Sequence, residues 1–230
     1  MNAPKVVSRN EWLKQRRELL EKEKAFTRQR DELSKQRRDL PWVQLDKDYF
    51  FVDEAGTHPM IELFGNSKQL MFYHFMFGPK WDAGCQSCSF WADNFNRIDR
   101  HLLQRDIAFM VVSSASVEML EMYKKRLGWQ FRWVSVGDND FNRDFHVSFD
   151  EQSKELGSID YNYKNQAYYM DELPGVSVFI RDDKDVIYHT YSTYSRGLDI
   201  LNAAYNFIDL TPLGRHEDNG QSWVRRWDEY

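Results

Sequence analysis

Apolar positions recur along this chain with two different periods. Trp12, Leu19, Phe26, Leu33 and Leu40 return every seven residues, with Leu13 and Leu20 beside the first two. Ser8-Arg-Asn-Glu11 reads as a capping box and Pro41 as a stop, so the spacing predicts one long helix to about Asp39. The other seam position of a coiled coil would fall on Arg16, Glu23, Arg30 and Arg37, which is too polar for a self-sufficient coil. The helix is therefore expected to lay a narrow stripe across its own domain or a partner subunit.

From Tyr49 the texture changes. Residues 49–56 and 57–64 read as two strands around a turn. Gln69 to Phe77 is a continuous apolar and aromatic run, suited to a strand buried on both faces. Trp91, Phe95, Ile98 and Leu102 then fall at helical spacing. Ile107 to Val112 predicts a second buried strand, Ser116 to Leu127 an amphipathic helix closed by Gly128, and Phe131 to Val136 a third strand. Residues 138–172 are polar, rich in Phe and Tyr, and without clean periodicity; they are expected to form an insertion packed on the domain. Leu173 to Ile180 and Asp185 to Tyr191 predict an antiparallel pair around a polar turn. A last helix should follow Ser195 with Leu198, Leu201, Tyr205 and Ile208 on one face, and the tail from Thr211 should dock through Trp223 and Trp227. The expected organisation is a helical extension at 1–42, an α/β domain at 43–210 and a tail at 211–230.

Composition changes this picture in three places. The net charge of −5 over 230 residues hides an asymmetry, because residues 1–40 carry twelve Lys and Arg against seven Asp and Glu. The acids are interleaved with the bases, which reads as a solvated helix face and argues against nucleic acid. No apolar run is long enough to span a membrane. Two cysteines are too few for a secreted disulfide framework, and no apolar leader follows Met1, so the expected location is the cytoplasm.

Those two cysteines, Cys85 and Cys88, carry the candidate chemistry. They sit three apart between the apolar run and the helix that follows it. A helix N-terminus stabilises a thiolate, and the spacing puts both sulfurs on one helical face, within reach of a reducible bond. Cys85, nearest the helix start, is the expected nucleophile, and Cys88 would resolve the mixed disulfide. A zinc site would need two further ligands that no second C-x-x-C or tight His pair supplies. Ser89 stands where a c-type haem motif needs His, and a four-cysteine cluster is excluded by count. No metal or bound cofactor is expected.

The order strand, C-x-x-C helix, strand, helix, hairpin, helix is that of a thioredoxin-like α/β domain. The stretch from Phe75 to Phe95 (Phe-Met-Phe-Gly-Pro-Lys-Trp-Asp-Ala-Gly-Cys-Gln-Ser-Cys-Ser-Phe-Trp-Ala-Asp-Asn-Phe) closely resembles a bacterial family of predicted dithiol–disulfide oxidoreductases, catalogued as a domain of unknown function. Leu173-Pro-Gly-Val-Ser-Val-Phe, His189-Thr-Tyr-Ser-Thr-Tyr-Ser-Arg-Gly-Leu-Asp199 and Val7-Ser-Arg-Asn-Glu-Trp12 fit it too. The resemblance implies a thioredoxin-like central mixed sheet flanked by helices, with residues 49–64 as the extra strands of peroxiredoxin-type relatives. It also implies a disulfide- or thiol-containing substrate, an external thiol electron donor, and Trp81 and Tyr191 as cleft walls. Pro174 is the candidate for the cis-proline of that fold, with Val176 or Ser177 as alternatives for its place. Arg196 is a candidate cation at the site.

Two other readings stay open. A peroxiredoxin-like thiol peroxidase would need a Pro-x-x-x-Thr/Ser-x-x-Cys loop, but counting from Pro79 puts Ala83 at the hydroxyl position and Gln86 at the cysteine. A non-catalytic thioredoxin-fold module would bind a partner through the basic helix and the tryptophan-bearing tail, surfaces that a homodimer would also use.

Overall fold

A computed structural model describes residues 5–230; residues 1–4 of the expected extension lie outside the described residues. The chain divides into two compact units, one ending at Pro41 and one spanning Trp42–Tyr230. The first is a single helix, α1 (Arg9–Arg38), whose Ser8 hydroxyl accepts from the Glu11 N–H as the capping box requires. None of its residues is buried. Trp12, Leu19, Phe26, Leu33 and Leu40 stand as an exposed apolar stripe.

The second unit begins with β1 (Val43–Gln44) and the hairpin β2 (Phe50–Asp53)–β3 (Gly56–Pro59), followed by a helical turn, α2 (Met60–Leu63). Then come β4 (Gln69–His74), α3 (Gln86–Phe95), α4 (Asp99–Leu103), β5 (Ile107–Ser113), α5 (Val117–Leu127) and β6 (Arg132–Ser135). Two short helices, α6 (Phe141–Asp144) and α7 (Glu151–Leu156), lead to a separate hairpin, β7 (Ser158–Tyr161)–β8 (Lys164–Ala167). The chain closes with β9 (Gly175–Arg181), β10 (Ile187–Tyr194), a 3-10 segment (Ser195–Leu201) and α8 (Ala203–Ile208) ahead of the tail.

Eight strands form one sheet in the order β1-β10-β9-β4-β5-β6-β2-β3. β4, β5 and β6 run parallel, and β9 lies antiparallel to β4 with β10 antiparallel beyond it. A parallel β4–α3–β5 unit joined through β4 to the β9–β10 hairpin is the thioredoxin-like arrangement. The central strands are apolar throughout because both faces are covered. Leu70 and Phe72 of β4, with Ala108 and Met110 of β5, face a core closed by α2 and α6; Tyr73, Phe75, Phe109 and Val111 face the core under α3 and α5.

Four expected elements differ. The second strand of 57–64 stops at Pro59, and Met60, Leu63 and Phe64 are buried at helical spacing instead. The helix of Trp91, Phe95, Ile98 and Leu102 is two helices. Asn96 turns extended and Arg97 takes φ 70°, while the Asn96 side chain binds the Gln130 N–H at 2.9 Å. The helix after Ser195 is first 3-10 and becomes α only at Ala203. The segment 138–172 has regular structure of its own: two helices and a hairpin.

Candidate functional site

The site lies at the C-terminal end of β4, where a parallel α/β sheet leaves a crevice above its strands. The chain leaves β4 at His74 and runs to Trp81. It returns at Cys85, whose N–H donates to the Met76 carbonyl at 2.9 Å. Cys85 is the N-cap of α3, and its Sγ accepts from the Cys88 N–H at 3.5 Å. The two cysteines are free thiols 3.8 Å apart; Cys85 is half-buried and Cys88 is buried.

Their environments differ. The Cys88 thiol donating to Cys85 is the largest influence that lowers the Cys85 thiol, to about 7, against the opposing cost of its own burial. The N–H groups of Cys88 and Ser87 and the Arg226 guanidinium act in the same direction. Burial, then the neighbouring Cys85, pushes the Cys88 thiol well up. Charge therefore settles on the accessible sulfur and the proton on the buried one. The buried hydroxyl of Tyr73, itself raised first by burial, acts on Cys88 and opposes the rise of its thiol.

The turn before Cys85 is packed against aromatic rings. Gly84 lies against Phe75 and Tyr123. The Tyr123 hydroxyl reaches the Gly84 carbonyl at 3.2 Å and the Ser89 hydroxyl at 2.9 Å, and Ser89 in turn donates to the Cys85 carbonyl at 2.8 Å.

A cavity of about 210 Å³ opens beside Cys88, between Trp91, Pro174 and Arg196. Pro174 reaches it because Gly175 pairs with His74 across the sheet, which sets the preceding residue beside the dithiol turn. No peptide bond is cis among the described residues, Pro174 included. Arg196 lies at the cavity edge, largely exposed and paired with Asp199 at 2.8 Å. Trp81 lines a different, larger cleft of about 460 Å³ together with Ser114 and Glu172. Tyr191 sits on β10 opposite Val178 and lines neither space. Among the described residues no three His, Cys, Asp or Glu side chains converge as a metal site requires.

Three residues that sequence reasoning missed complete the setting. Tyr161, from the insertion, donates to the Pro174 carbonyl at 2.7 Å and accepts from the Ser195 N–H at 3.0 Å. Tyr123 comes from α5. Arg226 comes from the tail, which docks through Val224 and Arg226, while Trp227 stays exposed and Trp223 lays its edge on Phe90. No motif marks these residues, since each matters only through a contact made from far along the chain.

A family model described as "Bacterial protein of unknown function (DUF899)" matches residues 1–230. No curated protein matches the chain in sequence. Among solved structures, the chain is similar to a cysteine-to-serine variant of peroxiredoxin Q from Xanthomonas campestris, with 16% identity over 73% of this chain and 95% of that one and a TM-score of 0.45. It is also similar to a thiol:disulfide interchange protein from a Bacteroides species (14% identity, 78% and 97% coverage, TM-score 0.43). A peroxidoxin from Mycobacterium tuberculosis is a third such structure (12% identity, 74% and 97% coverage, TM-score 0.43).

Proposed function

The chain belongs to this bacterial family of unknown function, and we propose that it is a thiol–disulfide oxidoreductase working through Cys85 and Cys88. The observation that carries this reading is the asymmetry within the pair: a half-buried Cys85 sulfur at a helix N-cap that accepts from the Cys88 N–H and whose thiol is lowered, beside a buried Cys88 whose thiol is raised.

In the reducing direction, the Cys85 thiolate attacks one sulfur of a substrate disulfide. That S–S bond breaks, the second substrate sulfur leaves as thiolate and takes a proton from solvent, and a Cys85–substrate mixed disulfide remains. Cys88 then loses its proton and attacks the Cys85 sulfur. The substrate's first sulfur leaves, and the electron pair that reduced the substrate is balanced by the new Cys85–Cys88 disulfide. An external thiol donor restores the dithiol. The cavity beside Cys88 is where the substrate backbone would lie, with Pro174 and Arg196 along its walls; Trp81 and Tyr191 would have to engage substrate from outside it.

The test is exchange with a small aromatic disulfide and a disulfide-bonded peptide, followed optically and by mass spectrometry. Cys85→Ser should abolish turnover. Cys88→Ser should accumulate a mixed disulfide on Cys85. Full turnover by both variants would refute the reading and favour a binding module, and consumption of hydrogen peroxide in preference to disulfides would favour a peroxidase.

A further inference from the structure

Arg226 lies 142 positions beyond Gly84 in sequence, yet its guanidinium meets the turn that carries Cys85. Nη2 donates to the Gly84 carbonyl at 2.9 Å and Nε to the Tyr123 hydroxyl at 2.7 Å. Nη1 pairs with Glu229 at 3.0 Å, which holds the side chain from behind. The tail is fixed independently of these bonds. Arg126 of α5 grips Asp228 at 2.6 and 3.0 Å and Glu229 at 3.1 Å, and Val224 is buried in the same core as Cys88. A surface arginine held only by a carboxylate would contribute little. This one is half-buried, and its two remaining prongs are spent on a carbonyl and a phenol of the dithiol turn.

On the reading that the dithiol is redox-active, we infer that Arg226 is a positioning residue of that site: it clamps the Gly84 carbonyl and holds a fixed positive charge beside the Cys85 thiolate. The C-terminal tail is then part of the redox centre. The geometry accounts for both effects. The Gly84 carbonyl immediately precedes Cys85, so holding it fixes the direction from which the sulfur enters the helix N-cap. A cation stabilises the reduced thiolate relative to the disulfide, which makes the pair a stronger oxidant. The other titratable groups around the turn are Cys88 and Tyr73 from within the domain, Tyr123 from α5, and Glu229 behind Arg226 in the tail, with Arg126 further out on Asp228 and Glu229.

The experiment is the pH profile of Cys85 alkylation by iodoacetamide in the full chain. It is run for the unsubstituted protein, Arg226→Gln and Arg226→Lys, with the equilibrium against glutathione measured on the same samples. Arg226→Gln should raise the alkylation midpoint by about half a unit or more, slowing reaction below the midpoint about threefold. It should also move the glutathione equilibrium towards the protein disulfide. Arg226→Lys keeps the charge and loses the two-pronged contact, so its midpoint should return most of the way. Unchanged midpoint and equilibrium in a folded Arg226→Gln protein would overturn the inference. Should that variant not fold, Arg126→Gln releases the tail from outside the site. It should raise the midpoint in the same direction, and an unmoved midpoint there would overturn the inference equally. An ordinary midpoint in the unsubstituted protein would instead refute the redox reading on which the inference rests.

Discussion

Gly84 has no room for a methyl group. A Cβ there would stand 2.7 Å from a ring carbon of Phe75 and 2.9 Å from one of Tyr123, both buried. Gly84→Ala should destabilise the fold by about 1–3 kcal/mol through overpacking and slow Cys85 alkylation; denaturant melts and the alkylation rate check both, and normal values would show a turn that yields freely. Glu172 poses a different problem. It is buried on the wall of the larger cleft, and burial raises its carboxyl to about 7 against the opposing hydrogen bonds of Ser114 and Ser148. A folded-state value above the unfolded one means its contribution is complete below about 4.5 and is lost as pH rises through 7. Glu172→Gln should therefore match the unsubstituted protein near pH 5 and be the more stable near pH 8, by on the order of 2–3 kcal/mol, as urea melts at the two pH values would show. His74 works with the opposite sign. Buried between Asn142 and Ser177, it is lowered to about 4 by burial, so its contribution is present above 6.5 and fades as pH falls towards 4. Of all these residues only the two cysteines announced themselves in the sequence, because spacing within one helix is local. Gly84, Tyr123 and Arg226 owe their roles to packing between remote segments.

At the level of elements, the best-marked pieces were those whose burial is uniform or strictly periodic. β4 and β5 read clearly because both faces of the sheet are covered. α5 read clearly because Ser116 accepts from the Met119 N–H and Gly128 closes the helix at φ 70°. Nothing lies within 4 Å of a Cβ at Gly128, so Gly128→Ala carries only the backbone penalty, about 1 kcal/mol. A thermal melt should fall by a few degrees; no change would mean that the cap does not hold the helix end. Two of the misread elements share one cause, a local pattern overridden by a distant polar contact. Asn96 leaves the helix to satisfy the Gln130 backbone. Met60 turns helical while its N–H donates to Tyr49 across the hairpin. The insertion was opaque because its aromatic residues do not follow one face of one element. Tyr161 and Tyr163 turn towards Tyr194 of β10, whereas Phe141 and Phe145 close the opposite core.

Across the whole molecule, the succession of β4, α3, β5, α5, β6 and the β9–β10 hairpin was legible from patterning, and the assembly of the site was not. Its parts come from β4 and α3, from α5, from the insertion, from the 3-10 segment and from the tail. The charge asymmetry has a simple placement: the basic excess lies on α1, a helix with no buried residue, and the acidic excess on the second unit. The single oxygen of Tyr161 joins two segments that line the cavity. It donates to the residue before β9 and accepts from the residue after β10, Ser195, which is held in the left-handed region at φ 49°. Pro174 and Ser195, both lining the cavity, are thereby tied to one oxygen, and losing it would loosen both. On the proposed exchange function, that tie would limit the size of the disulfide the cavity admits. Tyr161→Phe should raise turnover of a folded-protein disulfide relative to that of a small one, and an unchanged ratio would mean that the entrance is shaped elsewhere.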